Sequence, residues 1–331
     1  QEDPWGSWQI YAKQKQNDPD NLAQIVSGPW RHGGWQGKGD FLGPIPIGTD
    51  SGVQFQTQIQ APFFAYWLHN KGARPDFTAK MFESGSNVWK TYASWPPKGA
   101  KPTELYLHDD GSLSFDAPRA GEACRDYVSD PANPVPFRKR PMSRTYATPD
   151  WAWWESDDQR FVDHRPDVLS YVSEPLKQDL TVTGKIAATL MASTSGTDSD
   201  FVVKLIDVLP SDFENTENKQ WAVGDYAKTL NGYQWPIAMD VRRGRFLASD
   251  TNPQPLVPGK VVAWDVPLRD HDHVFKAGHR IMVQIQSTWF PVIDRNPQTF
   301  VANPYRANAS DFVKATQKVC SGSKVTLPVM G

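Results

Sequence analysis

His32 stands in the stretch SGPWRHGG, directly after the compact apolar run LAQIVSGPW (residues 22–30) and inside a glycine-rich loop. An imidazole titrates near neutrality, so a histidine carried at the end of a strand can take a proton from a hydroxyl nucleophile and return it to a leaving group. The same residue also suits a solvated loop histidine or a structural hydrogen-bonder, and both readings stand at this level. Glu2 and Asp3 precede it in QEDPWG. Two adjacent carboxylates near a terminus are ordinarily solvated. In a partly desolvated cleft they would instead attract a cationic substrate group. No Gly-x-Ser-x-Gly, phosphate-binding loop, dinucleotide fingerprint or His-Glu-x-x-His occurs in the chain, so no nucleophile, nucleotide cofactor or metal is indicated by motif.

Other polar clusters have weaker claims. RDHDH (269–273) carries His271 and His273 on one side of a β-segment without further ligands nearby, and reads better as a turn at a sandwich edge than as a metal site. SGTDSD (195–200) has the acidic look of a Ca²⁺ loop, which turn chemistry explains as well. His279 opens a strand and reads as structural. The rings of DWAWWES (150–156) could line a ligand site, although stapling a long loop to the core is the better reading. Cys124 and Cys320 have no redox or metal-ligand spacing; one bridge and two free buried thiols are both open.

The elements that must position these residues change character near residue 95. Before it, WQIYAKQKQ reads as a short helix, residues 22–30 as a buried parallel strand, and AKMFES and NVWKTY as a pair of strands. VQFQTQIQAPFFAYWLHN (53–70) places Phe55, Ile59, Phe63 and Trp67 four apart, one apolar face of a long helix packed on a sheet, with Pro62 expected to kink or split it. After SWPPKGAKP the pattern is all-β. TELYLH, GSLSF, VLSYVSEPL, LTVTGKIAATLMAS, DFVVKLIDVLP, WPIAMDVRRGRF, KVVAWDVPL and RIMVQIQST alternate or run apolar between turn signals, which predicts a β-sandwich of jelly-roll type. Residues 116–168 read as extended loops wrapping it. The expected fold is therefore mixed: the C-terminal remnant of an α/β domain over 1–97, followed by an all-β jelly-roll sandwich over 98–331. A parallel sheet needs neighbouring strands and helices on both faces, so further chain is expected upstream of Gln1.

The 331 residues carry a net charge of −2, 14 Trp and 28 Pro. That balance gives no electrostatic reason to expect nucleic acid or an anionic membrane as partner. No apolar run approaches the ~20 residues of a membrane span.

Taken together, QEDPWG, GPWRH, YVSDPANPVPF, DQRFVDHRPDVLSYVSEPL, ASTSGTDSDFVVKLIDV and GHRIMVQIQSTWFPVIDRNPQTF resemble the α-amino acid ester hydrolases, of the cocaine esterase / X-Pro dipeptidyl-peptidase / glutaryl-cephalosporin acylase group. The resemblance runs from Gln1 to about Val319. It implies the C-terminal half of a serine hydrolase with an α/β-hydrolase domain and a jelly roll. His32 matches the triad histidine, and Glu2 and Asp3 match two members of the acidic cluster that binds a substrate's α-ammonium group. The nucleophilic serine, the triad aspartate and the oxyanion donors would lie in the missing N-terminal half. The implied substrates are small α-amino acid esters and β-lactam amides, with no cofactor or metal, a possible homotetramer, and a periplasmic or secreted location. The competing expectation is a non-catalytic jelly-roll module that binds or merely packs.

Overall fold

The computed structural model describes residues 2–141, 154–213 and 230–331, with the side chains of 2–4 outside the description. The front region opens with helix α1 (Glu2–Lys15), then strand β1 (Ile25–Ser27) and a small hairpin of β2 (Phe41–Leu42) and β3 (Ile45–Pro46). A helix begins as α2 (Ser51–Gln54), widens into a π-helical stretch (Phe55–Gln60), and continues as α3 (Ala61–His69). Strands β4 (Ala79–Glu83) and β5 (Val88–Tyr92) complete a three-stranded sheet in the order β1-β4-β5, with β1 parallel to β4.

Pro62 lies just after the π-helical stretch, in a helix that continues on both sides; its ring has no N–H to give the preceding turn, and the widened turn just before it makes room for the ring. One expectation is corrected here. Phe55, Ile59, Phe63 and Trp67 do not form a single face packed on a sheet: Ile59 is buried, Phe55 and Phe63 are half-buried, and Trp67 is 40% exposed. Phe55, Ile59 and Phe63 still share one side of the helix, but that side borders a cavity and is not packed on a sheet. Asn70, with φ 53, closes α3 in the left-handed conformation that asparagine tolerates.

The second region is a sandwich built from β6 (Ala100–Leu107), β7 (Leu113–Ser114), β8 (Arg125–Ser129), β9 (Leu169–Val172), β10 (Leu180–Thr194), β11 (Asp200–Val208), β12 (Gln234–Arg243), β13 (Val262–Phe275), β14 (Arg280–Gln286) and β15 (Ala315–Met330). A six-stranded sheet runs β13-β10-β15-β6-β7, with β8 also on β15; a four-stranded sheet runs β12-β11-β14-β9. Alternate residues of β10, among them Ile186, Ala188, Leu190 and Ala192, point inward against Phe201, Val203 and Leu205 of β11 and Trp264 of β13. The Phe201 and Trp264 rings meet edge to face at 4.6 Å.

Four expectations change here. RDHDH is no turn but the interior of β13, paired throughout with β10. The stretch 116–168 is not loop throughout, since it contains β8. The long strand β15 was not anticipated. Of the two options for Cys124 and Cys320, the structure takes the disulfide, which joins the chain just before β8 to β15.

The two regions meet along one seam. Ser84, at the turn of the β4–β5 hairpin, donates its N–H to the Asp272 carbonyl (3.0 Å) and accepts from the Val274 N–H (2.8 Å). Gly85 follows at φ +87, and a Cβ there would lie 2.1 Å from the Val274 carbonyl oxygen, so the approach admits only glycine. Tyr92 donates its hydroxyl to Asp272 (2.9 Å), and the Trp95 indole N–H donates to Asp270 (3.0 Å).

Candidate functional site: the His32 cavity

The His32 loop is fixed by packing on three sides. Gly28 leaves β1, and a Cβ there would lie 2.3 Å from the Trp30 ring. Trp30 wedges against Phe55 (5.1 Å) and Trp89 (5.7 Å) and donates its indole N–H to Ser51 Oγ (2.9 Å). Gly33, at φ +74, turns the chain into the short 3₁₀ helix Gly34–Gln36. The Gln56 amide clamps that helix by donating to the Trp35 carbonyl (2.7 Å). His32 itself is exposed and lies 6.2 Å from the Trp35 ring.

His32 lines a cavity of about 680 Å³. Its walls include Trp30, Arg31 and Trp35 from the same loop, and Phe55, Ile59 and Phe63 from the helix. The rings expected to serve as helix core therefore serve as cavity wall. Ser7 and Trp8 of α1 line it too. Glu2 and Asp3 lie in the first turn of α1, shortly before those residues, and their side chains are outside the described set. An apolar aromatic wall with few polar groups and one imidazole is the composition of a small-molecule site.

Glu155, read within DWAWWES as part of a staple, is on the same wall. Residues 150–153 lie outside the description, but Trp154 does staple, packing against Phe137 (5.9 Å) and Trp289 (5.8 Å). Its neighbour Glu155 reaches a cavity whose other walls come from residues at or before Phe77. No local pattern could have flagged it.

The remaining candidates are engaged elsewhere. His273 Nδ1 pairs with Ser84 Oγ (2.8 Å) and Nε2 with Asp207 (3.2 Å), while His279 Nδ1 pairs with the other Asp207 oxygen (2.8 Å). Burial pushes the Asp207 carboxyl up, but the two imidazole hydrogen bonds outweigh it and hold the group below its ordinary value. His279 is thus structural, as expected. His271 Nε2 meets the Leu268 carbonyl (2.9 Å). In SGTDSD, Asp198 and Asp200 are buried, with Arg245 (3.7 Å) and Arg243 (3.8 Å) beside them. Among the described residues no group of three or more His, Cys, Asp or Glu could hold a metal ion.

Residues 61–322 match the family described as the X-Pro dipeptidyl-peptidase C-terminal non-catalytic domain. Cocaine esterase of Rhodococcus sp. (strain MB1 Bresler) is 27% identical over 289 residues, 84% of this chain and 46% of that protein. A putative serine esterase of Mycobacterium bovis is 28% identical over 280 residues, 80% of this chain and 40% of that protein. Two solved structures superpose closely. An aminopeptidase from a marine sediment Thaumarchaeota archaeon has a TM-score of 0.91 and 40% identity, over 99% of this chain and 53% of that one. An α-amino acid ester hydrolase has a TM-score of 0.90 and 39% identity, over 98% and 53%. The chain thus spans about half the length of the relatives it matches. The kinship expected from the motifs stands, and these relatives are hydrolases and esterases. The chain belongs to the X-Pro dipeptidyl-peptidase C-terminal domain family.

Proposed function

We propose that this chain is part of a serine hydrolase that cleaves α-amino acyl esters and amides, and transfers the acyl group to β-lactam nuclei, through an acyl-enzyme. The observation that carries the reading is His32, placed by a short parallel strand on the wall of an aromatic cavity. Residues 1–97 act as the last part of an α/β-hydrolase domain and 98–331 as its jelly-roll partner. The serine, the triad aspartate and the oxyanion donors come from the N-terminal half of the same protein. His32 takes the serine proton as the hydroxyl attacks the acyl carbon, gives it to the departing alcohol or amine, and then activates water or the acceptor amine. Glu2 and Asp3 hold the substrate's α-ammonium. The similarity to an aminopeptidase and an α-amino acid ester hydrolase supports this preference.

The test uses the full-length protein and phenylglycine methyl ester. Hydrolysis is expected, with His32→Ala lowering kcat by about 10³-fold, within the usual range for a general base. Glu2→Gln with Asp3→Asn should erase the preference for an α-amino group; unchanged selectivity would remove the acidic pair from the site. The second reading, a non-catalytic module, draws on the family description of residues 61–322. His32 lies outside that span, and full activity in His32→Ala would favour the module. The Cys124–Cys320 disulfide supports an exported, periplasmic or secreted location, where such bonds persist. Assembly as a homotetramer is proposed on the resemblance alone.

A further inference from the structure

The His32 cavity adjoins a second, smaller one of about 180 Å³, and Trp8, Ser27, Gly28 and Glu155 line both. The smaller cavity lies at the seam. Its walls carry the rings of Trp95 and Trp235 and the side chains of Asp270, His271 and Asp272. Charge is sorted between the two spaces: Arg31 stands on the larger cavity, while no Lys or Arg is among the described residues lining the smaller.

Burial pushes His271 down to about 4, so it is neutral at pH 7 and brings no positive charge. Burial pushes Asp270 and Asp272 up, the latter to about 6, despite the Trp95, Tyr92 and Thr183 hydrogen bonds they accept and the more distant Lys185 and Lys90. Both are carboxylates short of positive charge, a deficit that an incoming cation would relieve. Indole rings add attraction for an organic cation at their faces. Glu155 stands where the spaces adjoin, mounted firmly: Trp154 packs between Phe137 and Trp289, and the Ser156 carbonyl accepts from the buried Tyr233 hydroxyl at 2.7 Å.

We propose that the smaller cavity is a side-chain subsite of the His32 cavity, taking the positively charged end of a basic aminoacyl group, with Glu155 at the junction as the residue that selects it. The inference rests on the hydrolase reading above and names its substrate class. About 180 Å³ accommodates a butylammonium chain and little more.

The test is steady-state kinetics of the full-length protein on the methyl esters of lysine and norleucine, which differ in the terminal ammonium. The lysine ester is expected to have at least a tenfold higher kcat/KM. Glu155→Gln should reduce that ratio at least fivefold, mainly through KM, with Glu155→Asp restoring part of it. Independently of any variant, butylammonium should compete with the norleucine ester at concentrations where butanol does not. Equal kcat/KM for the two esters, a ratio indifferent to Glu155→Gln in a folded variant, or equal inhibition by butylammonium and butanol overturns the subsite and leaves the hydrolase reading intact. If neither these esters nor phenylglycine methyl ester is hydrolysed, the hydrolase reading falls and the subsite with it.

Discussion

The sandwich and the front region spend their aromatic residues in opposite ways. In the sandwich, Trp264, Tyr171 and Phe201 are at or below 1% exposure and are enclosed by two sheets of the same chain. In the front region, Trp5, Phe64 and Trp67 are more than a third exposed, and Phe55 and Phe63 face a cavity. The first arrangement yields stability and little else. The second leaves apolar surface available to a ligand or to further protein, and large exposed patches of that kind mark interaction sites. One region is thus a finished scaffold and the other a working surface held against it.

Deleting one ring from each region should expose the difference most plainly. Trp264→Ala is expected to cost about 3–5 kcal/mol in denaturant unfolding. Phe63→Ala should cost under about 1 kcal/mol, yet raise KM of the full-length protein several-fold; comparable losses of stability would erase the distinction. Opening the disulfide with Cys124→Ser and Cys320→Ser should cost about 2–4 kcal/mol, with the rate per folded molecule unchanged. Gly85→Ala attacks the seam, where the added Cβ meets the Val274 carbonyl. A loss of about 1–3 kcal/mol is expected, with a fall in activity larger than either region's own melting would explain.

The smallest effect is pH-dependent. Lys204 is fully buried in the sandwich, donates to Gln159 (2.8 Å), and is pushed by burial down to about 7. An unfolded lysine binds its proton up to about pH 10.4, so the unfolded state holds the extra proton between pH 7 and 10. Stability should therefore rise with pH across that window. Lys204→Met should flatten the rise and stabilise the protein near pH 7 by on the order of 1–2 kcal/mol, the gain shrinking toward pH 10. A parallel pair of pH profiles would refute this.

The sandwich was largely legible because its strands alternate: Val182, Ile186 and Leu190 announce their inward face. Strand β15 was not, since its inward positions include Gln317 and Ser323, polar groups whose burial depends on distant partners. RDHDH looked like a turn because its charges suggest solvent. Asp272 and His273 are buried by hydrogen bonds to Thr183, Tyr92, Ser84 and Asp207, none of them nearby in sequence. At the site, His32 was readable from its strand–glycine context. The cavity wall was not, because spacing alone cannot say whether the face of Phe55, Ile59 and Phe63 borders a sheet or a cavity, and Glu155 arrives from the other region.

The seam has a dimensional consequence. His32 is mounted on the front region and Glu155 on the sandwich, so the gap between them is not set by either body alone. It is set by how deeply the Ser84–Gly85 turn seats against β13, much as the jaws of a caliper are set by its slide. Natural variation at Gly85, His273 or Val274, none of which lines either cavity, would then retune which substrates fit without altering a residue that touches them.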